Sequence, residues 1–260
     1  MDGKKLQVFF FSPTGGTENV ARMLGDRLSA EYEVEYSDIT VKKQGDTALA
    51  KTDAAIFCVP VYGGRVPAPV YERLEHISGH NTPAALIAVF GNRAVDDALL
   101  ELKGMTSERG FKTVAAGEFI APHSVNPTFG AGRPDSSDMT VMNQFSEKFR
   151  ARLKALPDDG DYPEISVPGN PKFREYNGIP AKPSASAKCV GCGVCAVNCP
   201  VSAIDIINPR MTEKSVCISC MRCVHICPKG ARKVPAPIRL VSTQLLKKLC
   251  TERKEPKLYF

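Results

Sequence analysis

Short apolar runs alternate with stretches of helical periodicity over the first 156 positions. Lys5–Phe11 (KLQVFFF), Ala54–Val59 (AAIFCV) and Ala84–Phe90 (AALIAVF) are almost continuously apolar, and Lys112–Ile120 continues the habit. Runs that are continuous rather than alternating belong to strands covered on both faces, as in parallel sheets. Glu33–Tyr36 reads as one more short strand. Between the strands, Thr17–Ala30 sets Val20, Met23, Leu24 and Leu28 on one side of a helix, and Ala94–Arg109 and Asp138–Leu156 read as two further helices. The pattern predicts an α/β fold, a doubly wound parallel sheet over residues 1–160.

The alternation then stops. Six prolines between Pro157 and Pro183 mark residues 161–186 as a stiff linker. Residues 187–236 form a cysteine-rich unit, expected as a small α+β domain. Residues 237–260 form a tail, in which Val241, Leu245, Leu246 and Leu249 predict an amphipathic helix. No apolar run reaches the roughly 18 residues of a membrane span. Met1–Lys5 runs straight into the first strand without a cleavage pattern, so a cytoplasmic location is expected.

Eight of the ten cysteines lie between Cys189 and Cys227. Their spacing repeats: Cys189, Cys192, Cys195, Cys199 and Pro200 recur 28 residues later as Cys217, Cys220, Cys223, Cys227 and Pro228. Each half reads C-x₂-C-x₂-C-x₃-C-P. Zinc sites usually pair two separated C-x₂-C knuckles, and disulfides suit a secreted chain, so both fit less well than iron–sulfur. The run resembles the ligand motif of bacterial two-cluster ferredoxins, whose fourth cysteine serves the other cluster. The resemblance implies one [4Fe–4S] cluster on Cys189, Cys192, Cys195 and Cys227, and a second on Cys217, Cys220, Cys223 and Cys199. Cys58 and Cys250 lie in apolar settings and read as small hydrophobes.

Charge is divided unevenly. Residues 1–164 carry 18 basic and 23 acidic side chains, and residues 165–260 carry 16 and 5. Two clusters of about −2 each would offset part of the basic excess, so nucleic acid is not expected as a partner.

After the first strand, Ser12-Pro13-Thr14-Gly15-Gly16-Thr17 opens a helix. Free N–H groups at a helix start suit a phosphate. The loop lacks the lysine of a P-loop and the G-x-G-x-x-G of a dinucleotide site, which leaves a single terminal monophosphate. The alternative is an ordinary Ser/Thr-rich turn. Two more loops follow strands at the edge where such sheets bind ligands: Pro60-Val61-Tyr62-Gly63-Gly64-Arg65 and Phe90-Gly91-Asn92-Arg93.

Together these loops resemble the flavodoxin superfamily over about residues 4–156, and the whole chain resembles the iron–sulfur flavodoxins of anaerobic bacteria and archaea. That resemblance implies FMN. Ser12, Thr14, Gly15, Gly16 and Thr17 would hold its phosphate, and Tyr62 would stack on the ring. The backbone of Gly63, Gly64, Gly91 and Asn92 would meet the ring edge, and Pro60, Val61 and Phe90 complete the cofactor-binding set. Arg65 or Arg93 would face the reduced flavin, unless both are plain surface arginines. Gly91–Asp97 holds no aromatic, so the second ring face is expected to be open or covered by Ala121–Pro127. His123 in that segment reads as a loop residue, and His76 and His80 as solvated residues of a surface helix.

The expected function is electron transfer between two [4Fe–4S] clusters and FMN in anaerobic metabolism. The alternative is a flavin-dependent reductase of a small organic acceptor, although no acid–base constellation stands out. Partners would be redox proteins or a small redox substrate, and a homodimer is compatible with the sequence.

Overall fold

The computed structural model describes residues 4–42, 45–157 and 162–260. The boundary expected at 160/161 lies outside the described residues.

Five strands, β1 (Lys5–Phe10), β2 (Glu33–Asp38), β4 (Ala54–Pro60), β6 (Thr82–Phe90) and β7 (Phe111–Ile120), form a parallel sheet in the order β2-β1-β4-β6-β7. This is the flavodoxin-like doubly wound order, with its ligand crevice at the carboxyl ends of the strands. Neighbouring side chains point to opposite faces, so each strand feeds two cores. Val8, Phe10, Ile56 and Ile87 pack under α1 (Gly16–Asp26) and α4 (Ser136–Lys154). Phe9, Phe57, Leu86 and Phe90 pack against α2 (Pro69–Leu74) and α3 (Ala98–Ser107). All nine residues of β6 are buried, which is why its sequence never alternates. Phe9 stacks on Phe57 with ring centroids 5.1 Å apart, and Phe111 meets Phe57 edge-on at 4.9 Å.

Two short strands, β3 (Thr47–Leu49) and β5 (Ile77–Gly79), form a separate parallel pair that the apolar pattern does not announce. Their pairing ends α2 at Leu74, so the helix expected to carry His76 and His80 is absent there: His76 lies in a turn, with Nδ1 2.9 Å from Asp46 Oδ1, and His80 follows β5.

The proline-rich segment lies along the sheet domain. Ile165 donates its N–H to Thr113 O at 3.0 Å and joins the second core. Asp97 accepts the N–H groups of Asn170 and Arg174 at 2.9 and 2.8 Å. Burial alone would raise the Asp97 carboxyl, but these two bonds together with the charges of Arg174 and Arg65 hold it below its ordinary value.

The cysteine unit is small. A two-stranded ribbon, β8 (Ser184–Ala185) and β9 (Arg232–Lys233), brackets the one-turn helices α5 (Val194–Val197) and α6 (Arg222–His225). Beyond it, α7 (Ala236–Cys250) runs back across the sheet domain. The chain then adds β10 (Lys257–Tyr259) antiparallel to β7, at the sheet edge. The sequence pattern foretells the helix but not the strand. Tyr259 Oη donates to Glu118 Oε1 at 2.7 Å, which fixes the edge. Among the described residues no helix is long and apolar enough to cross a membrane.

Candidate cofactor sites

At the carboxyl ends of β1, β4 and β6 lies a cavity of about 530 Å³. The first loop supplies Ser12, Thr14, Gly16 and Thr17 to its wall, while Gly15 lines an adjoining cleft. Gly15 precedes α1 at φ 85°, a left-handed conformation that glycine adopts without cost. Ser12 Oγ accepts Glu18 N–H at 2.9 Å and ties the loop onto α1. The second loop contributes Pro60, Val61, Tyr62 and Gly63, and the third contributes Phe90, Gly91 and Arg93.

Three expected residues are placed elsewhere. Arg65 is captured by Glu101, with contacts of 2.7 and 2.8 Å, and stacks on Phe173. Gly64 is buried beside Asp96 and Arg174 and does not line the cavity. Asn92 turns outward: its Nδ2 donates to Cys250 O and Glu252 O at 2.6 and 2.8 Å, and its Oδ1 accepts Lys254 N–H at 3.0 Å. Each competing partner is remote in sequence, which is why loop position alone misassigned them.

The side of the cavity expected to stand open is lined. Tyr176, from the proline-rich segment, packs on Gly63 so closely that a Cβ there would lie 2.1 Å from its ring. Ile238, Val241, Leu245, Leu246 and Leu249 of α7 form an aliphatic wall, and Pro122–Val125 contribute as expected. Nothing local in the sequence marks Tyr176 for this role, and the apolar stripe of α7 is the one signal that points to the helix. Burial, and then the charge of Arg93, push His123 down to about 4, so its imidazole is neutral at pH 7. Burial also raises the Tyr62 phenol well above its ordinary value.

The eight cysteines of the repeat gather around two small cavities of about 20 Å³ each. One is ringed by Cys189, Cys192, Cys195 and Cys227, the other by Cys199, Cys217, Cys220 and Cys223. In each, three cysteines come from one half of the repeat and one from the other. The backbone repeats as well: Gly191 and Ser219 (φ 73° and 57°), and Gly193 and Met221 (76° and 62°), are left-handed pairs 28 residues apart. Cys199 Sγ accepts Ala203 N–H at 3.3 Å, and Cys227 Sγ accepts Ala231 N–H at 3.2 Å. Among the described residues no three His, Cys, Asp or Glu side chains converge tightly enough to chelate one ion. Four sulfurs spread around a void suit a larger inorganic core. Burial pushes the Cys220 and Cys223 thiols up to about 12. For Cys227 burial is outweighed by the N–H groups of Ala231, Lys229 and Arg232, and its thiol lies below the ordinary value.

Residues 188–231 match the 4Fe-4S dicluster domain family. A flavodoxin-like sheet is thus followed, in the same chain, by a segment similar to the 4Fe-4S dicluster domain family. Curated relatives over this stretch include subunit I of NADH-quinone oxidoreductase from Psychrobacter cryohalolentis, 42% identical over 45 residues (17% of this chain, 25% of the relative). The corresponding subunit from Tolumonas auensis is 39% identical over 62 residues (24% and 32%). The chain thus spans a quarter to a third of these relatives' length. Similar solved structures include a Streptococcus pneumonia TIGR4 flavodoxin, 18% identical with TM-score 0.41, covering 56% of this chain and 98% of that one. A Fusobacterium nucleatum flavodoxin bound to flavin mononucleotide is 13% identical with TM-score 0.41 (57% and 98%). The strand order, rather than these scores, defines the fold.

The thiol-lined cavity of Cys199, Cys217, Cys220 and Cys223 adjoins the large cavity. Ile218 lines both, Ser219 lines the large one, and Arg222 Nη1 reaches the carbonyls of Ser12 and Pro13 at 3.4 Å.

Proposed function

We propose that this chain is an electron-transfer protein that joins two [4Fe–4S] clusters to FMN, working in a reducing, anaerobic setting. The observation that carries the reading is the shared wall at Ile218, which puts a four-thiol cavity directly beside the cavity walled by the Ser12–Thr17 loop. Cys189, Cys192, Cys195 and Cys227 would hold one cluster; Cys217, Cys220, Cys223 and Cys199 the other. The donor sets fit: each is four thiols, with backbone N–H groups already bonded to the crossing sulfurs. The large cavity also fits, since about 530 Å³ lies within the range of small-molecule and cofactor sites.

Bound FMN accepts electrons singly or in pairs, and each cluster passes them one at a time. The chain's own work is to hold these groups. Thr14, Thr17 and the N–H groups at the start of α1 would bind the phosphate. Tyr62 and Tyr176 would flank the ring, and the aliphatic face of α7 would exclude water from it. External partners would be redox proteins; a homodimer is compatible, and nucleic acid has no part.

Three measurements test this. Acid extraction of the anaerobically reconstituted chain should release about one FMN; recovery of FAD, or of no flavin, would reject the phosphate-loop reading. Stopped-flow reduction of the clusters should be followed by rapid reduction of the flavin within the same chain. Cys199→Ser should damage the cluster of Cys217, Cys220 and Cys223, and Cys227→Ser the other. Loss of the same cluster in both variants would reject the crossed ligand sets.

One observation favours the reductase reading. Val241, Leu245 and Leu249 line the large cavity yet remain 54–59% exposed, an apolar wall against which a small organic acceptor could lie. Steady turnover of quinones by the chemically reduced protein would move the assignment to that reading.

A further inference from the structure

Among the described residues, two arginines bond across from one unit to the other. Arg73 Nη2, on α2, donates to Pro200 O at 2.9 Å, and Arg222 Nη1, on α6, reaches the carbonyls of Ser12 and Pro13 at 3.4 Å. The second contact lands on the loop that opens α1. The Pro13–Thr14 peptide is trans, so its C=O and N–H point to opposite sides. A cation held on Pro13 O therefore turns the Thr14 N–H away from Arg222. That N–H has no hydrogen-bond partner among the described residues, and Thr14 lines the large cavity. Arg222 thus aims one of the donors that a bound phosphate needs.

Arg222 is itself placed by the inner thiol set. It is the first residue of α6 and lies between Cys220 and Cys223 in the chain. Its backbone N–H bonds the Cys220 sulfur, and its charge also bears on that thiol. Its side chain lines the cavity of Cys199, Cys217, Cys220 and Cys223. Its Nε is buried without a hydrogen-bond partner, and among the described residues no carboxylate pairs with it. The guanidinium therefore spans from a site for one anionic group to the loop proposed for another.

Little else holds α6 in place. It is one turn of four residues, none of them buried, and the chain enters it through Met221 in the left-handed region at φ 62°. An isolated turn is too short to form alone. A non-glycine residue in that region is strained, and the strain persists only where the surroundings fix it. Ligation of Cys220 on one side of Met221 and of Cys223 on the other supplies that constraint.

We infer that Arg222 makes flavin binding depend on the inner cluster: the loaded set of Cys199, Cys217, Cys220 and Cys223 fixes α6, and α6 fixes the loop that receives the FMN phosphate. Arg222 is a positioning residue that acts through the Ser12–Thr14 backbone. The dependence is mutual, because a coupling free energy belongs to both ligands equally, so bound FMN also tightens retention of the inner cluster. A chain without its clusters holds FMN loosely. The inference rests on the proposed FMN and cluster sites.

The test is FMN binding to the full chain, measured by anaerobic ultrafiltration with the clusters loaded or stripped and with Arg222 intact or replaced. The loaded wild-type chain should bind FMN about tenfold more tightly than the stripped one, an ordinary size for coupling between two sites. Arg222→Met should lose about tenfold in the loaded chain, with iron content unchanged, and less than about twofold in the stripped one. Arg222→Lys should recover most of that loss. Riboflavin, which has no phosphate, should bind more weakly and respond little to Arg222. Arg73→Met releases the other contact and should leave FMN affinity within about twofold of wild type. Equal FMN affinity in loaded and stripped wild-type protein would overturn the inference whatever the variants do. So would equal losses in loaded and stripped Arg222→Met, or an equal loss in Arg73→Met, which would assign the effect to general loosening between the units. Fewer than about eight irons in the loaded chain would fail the cluster reading itself. An FMN affinity no greater than that for riboflavin would fail the phosphate-loop reading. Either failure takes the inference with it.

Discussion

The sheet domain fully buries eight phenylalanines, among them Phe9, Phe57 and Phe145, in two cores on either side of its strands. The cysteine unit has Cys195, Ala196 and Ile204 at the centre of its only apolar cluster, and leaves Ile207 92% and Val190 65% exposed. The first can hold itself together by burial. The second, at about 50 residues, buries too little to do so, and in the proposed reading draws its stability from the clusters its thiols would hold. One chain thus contains two ways of fixing a backbone, and they should fail under different insults.

Stripping iron from the anaerobic protein with a chelator and oxidant is the largest perturbation. Amide exchange across residues 184–233 should lose its protection entirely, while β1, β4 and β6 keep theirs. A cysteine unit that stays protected without iron would erase the contrast. Phe57→Ala tests the other side: it removes a ring packed between Phe9 and Phe111 and should cost about 3–5 kcal/mol in denaturant unfolding of the sheet domain, with iron content unchanged.

His123 gives a subtler separation. Its folded value of about 4 lies below the unfolded imidazole's ordinary 6.5, so the unfolded chain takes a proton that the folded chain refuses. Stability should therefore fall as pH drops from about 6.5 towards 4 and level off below. Between pH 7 and pH 5 the wild-type sheet domain should lose about 2 kcal/mol more than His123→Gln does; parallel curves for the two proteins would exclude this. The smallest effect is expected from Asn92→Gly, which accepts the backbone φ of 63° but frees the carbonyls of Cys250 and Glu252. It should cost about 1–2 kcal/mol, read as faster amide exchange confined to α7 and β10.

What could be read from the sequence was what local spacing encodes. Continuous apolar runs located four of the five parallel strands, the short stretch Glu33–Tyr36 marked the fifth, and ligand spacing located two sets of thiols, because each depends on neighbours along the chain. Contacts made across more than thirty residues were not legible. Nothing near Arg65 indicates that Glu101 will accept two of its guanidinium hydrogen bonds and also the Val66 N–H. Nothing near Asn92 indicates a partner 158 residues away. Tyr176 reads as part of a linker until its ring is found against Gly63. The three-residue β10 is too short to carry a pattern of its own, and only the open edge of β7 defines it.

That last strand changes the connectivity of the molecule. The polypeptide leaves the sheet after α4 and re-enters it at β10, so the cysteine unit is an insert moored at both ends rather than a pendant arm. A protease nick within residues 200–210 would leave two fragments still zipped together along β7. A pendant unit would deliver electrons at a rate set by how often it swings home. In the proposed reading, the spacing between redox centres is set once, when the last strand docks.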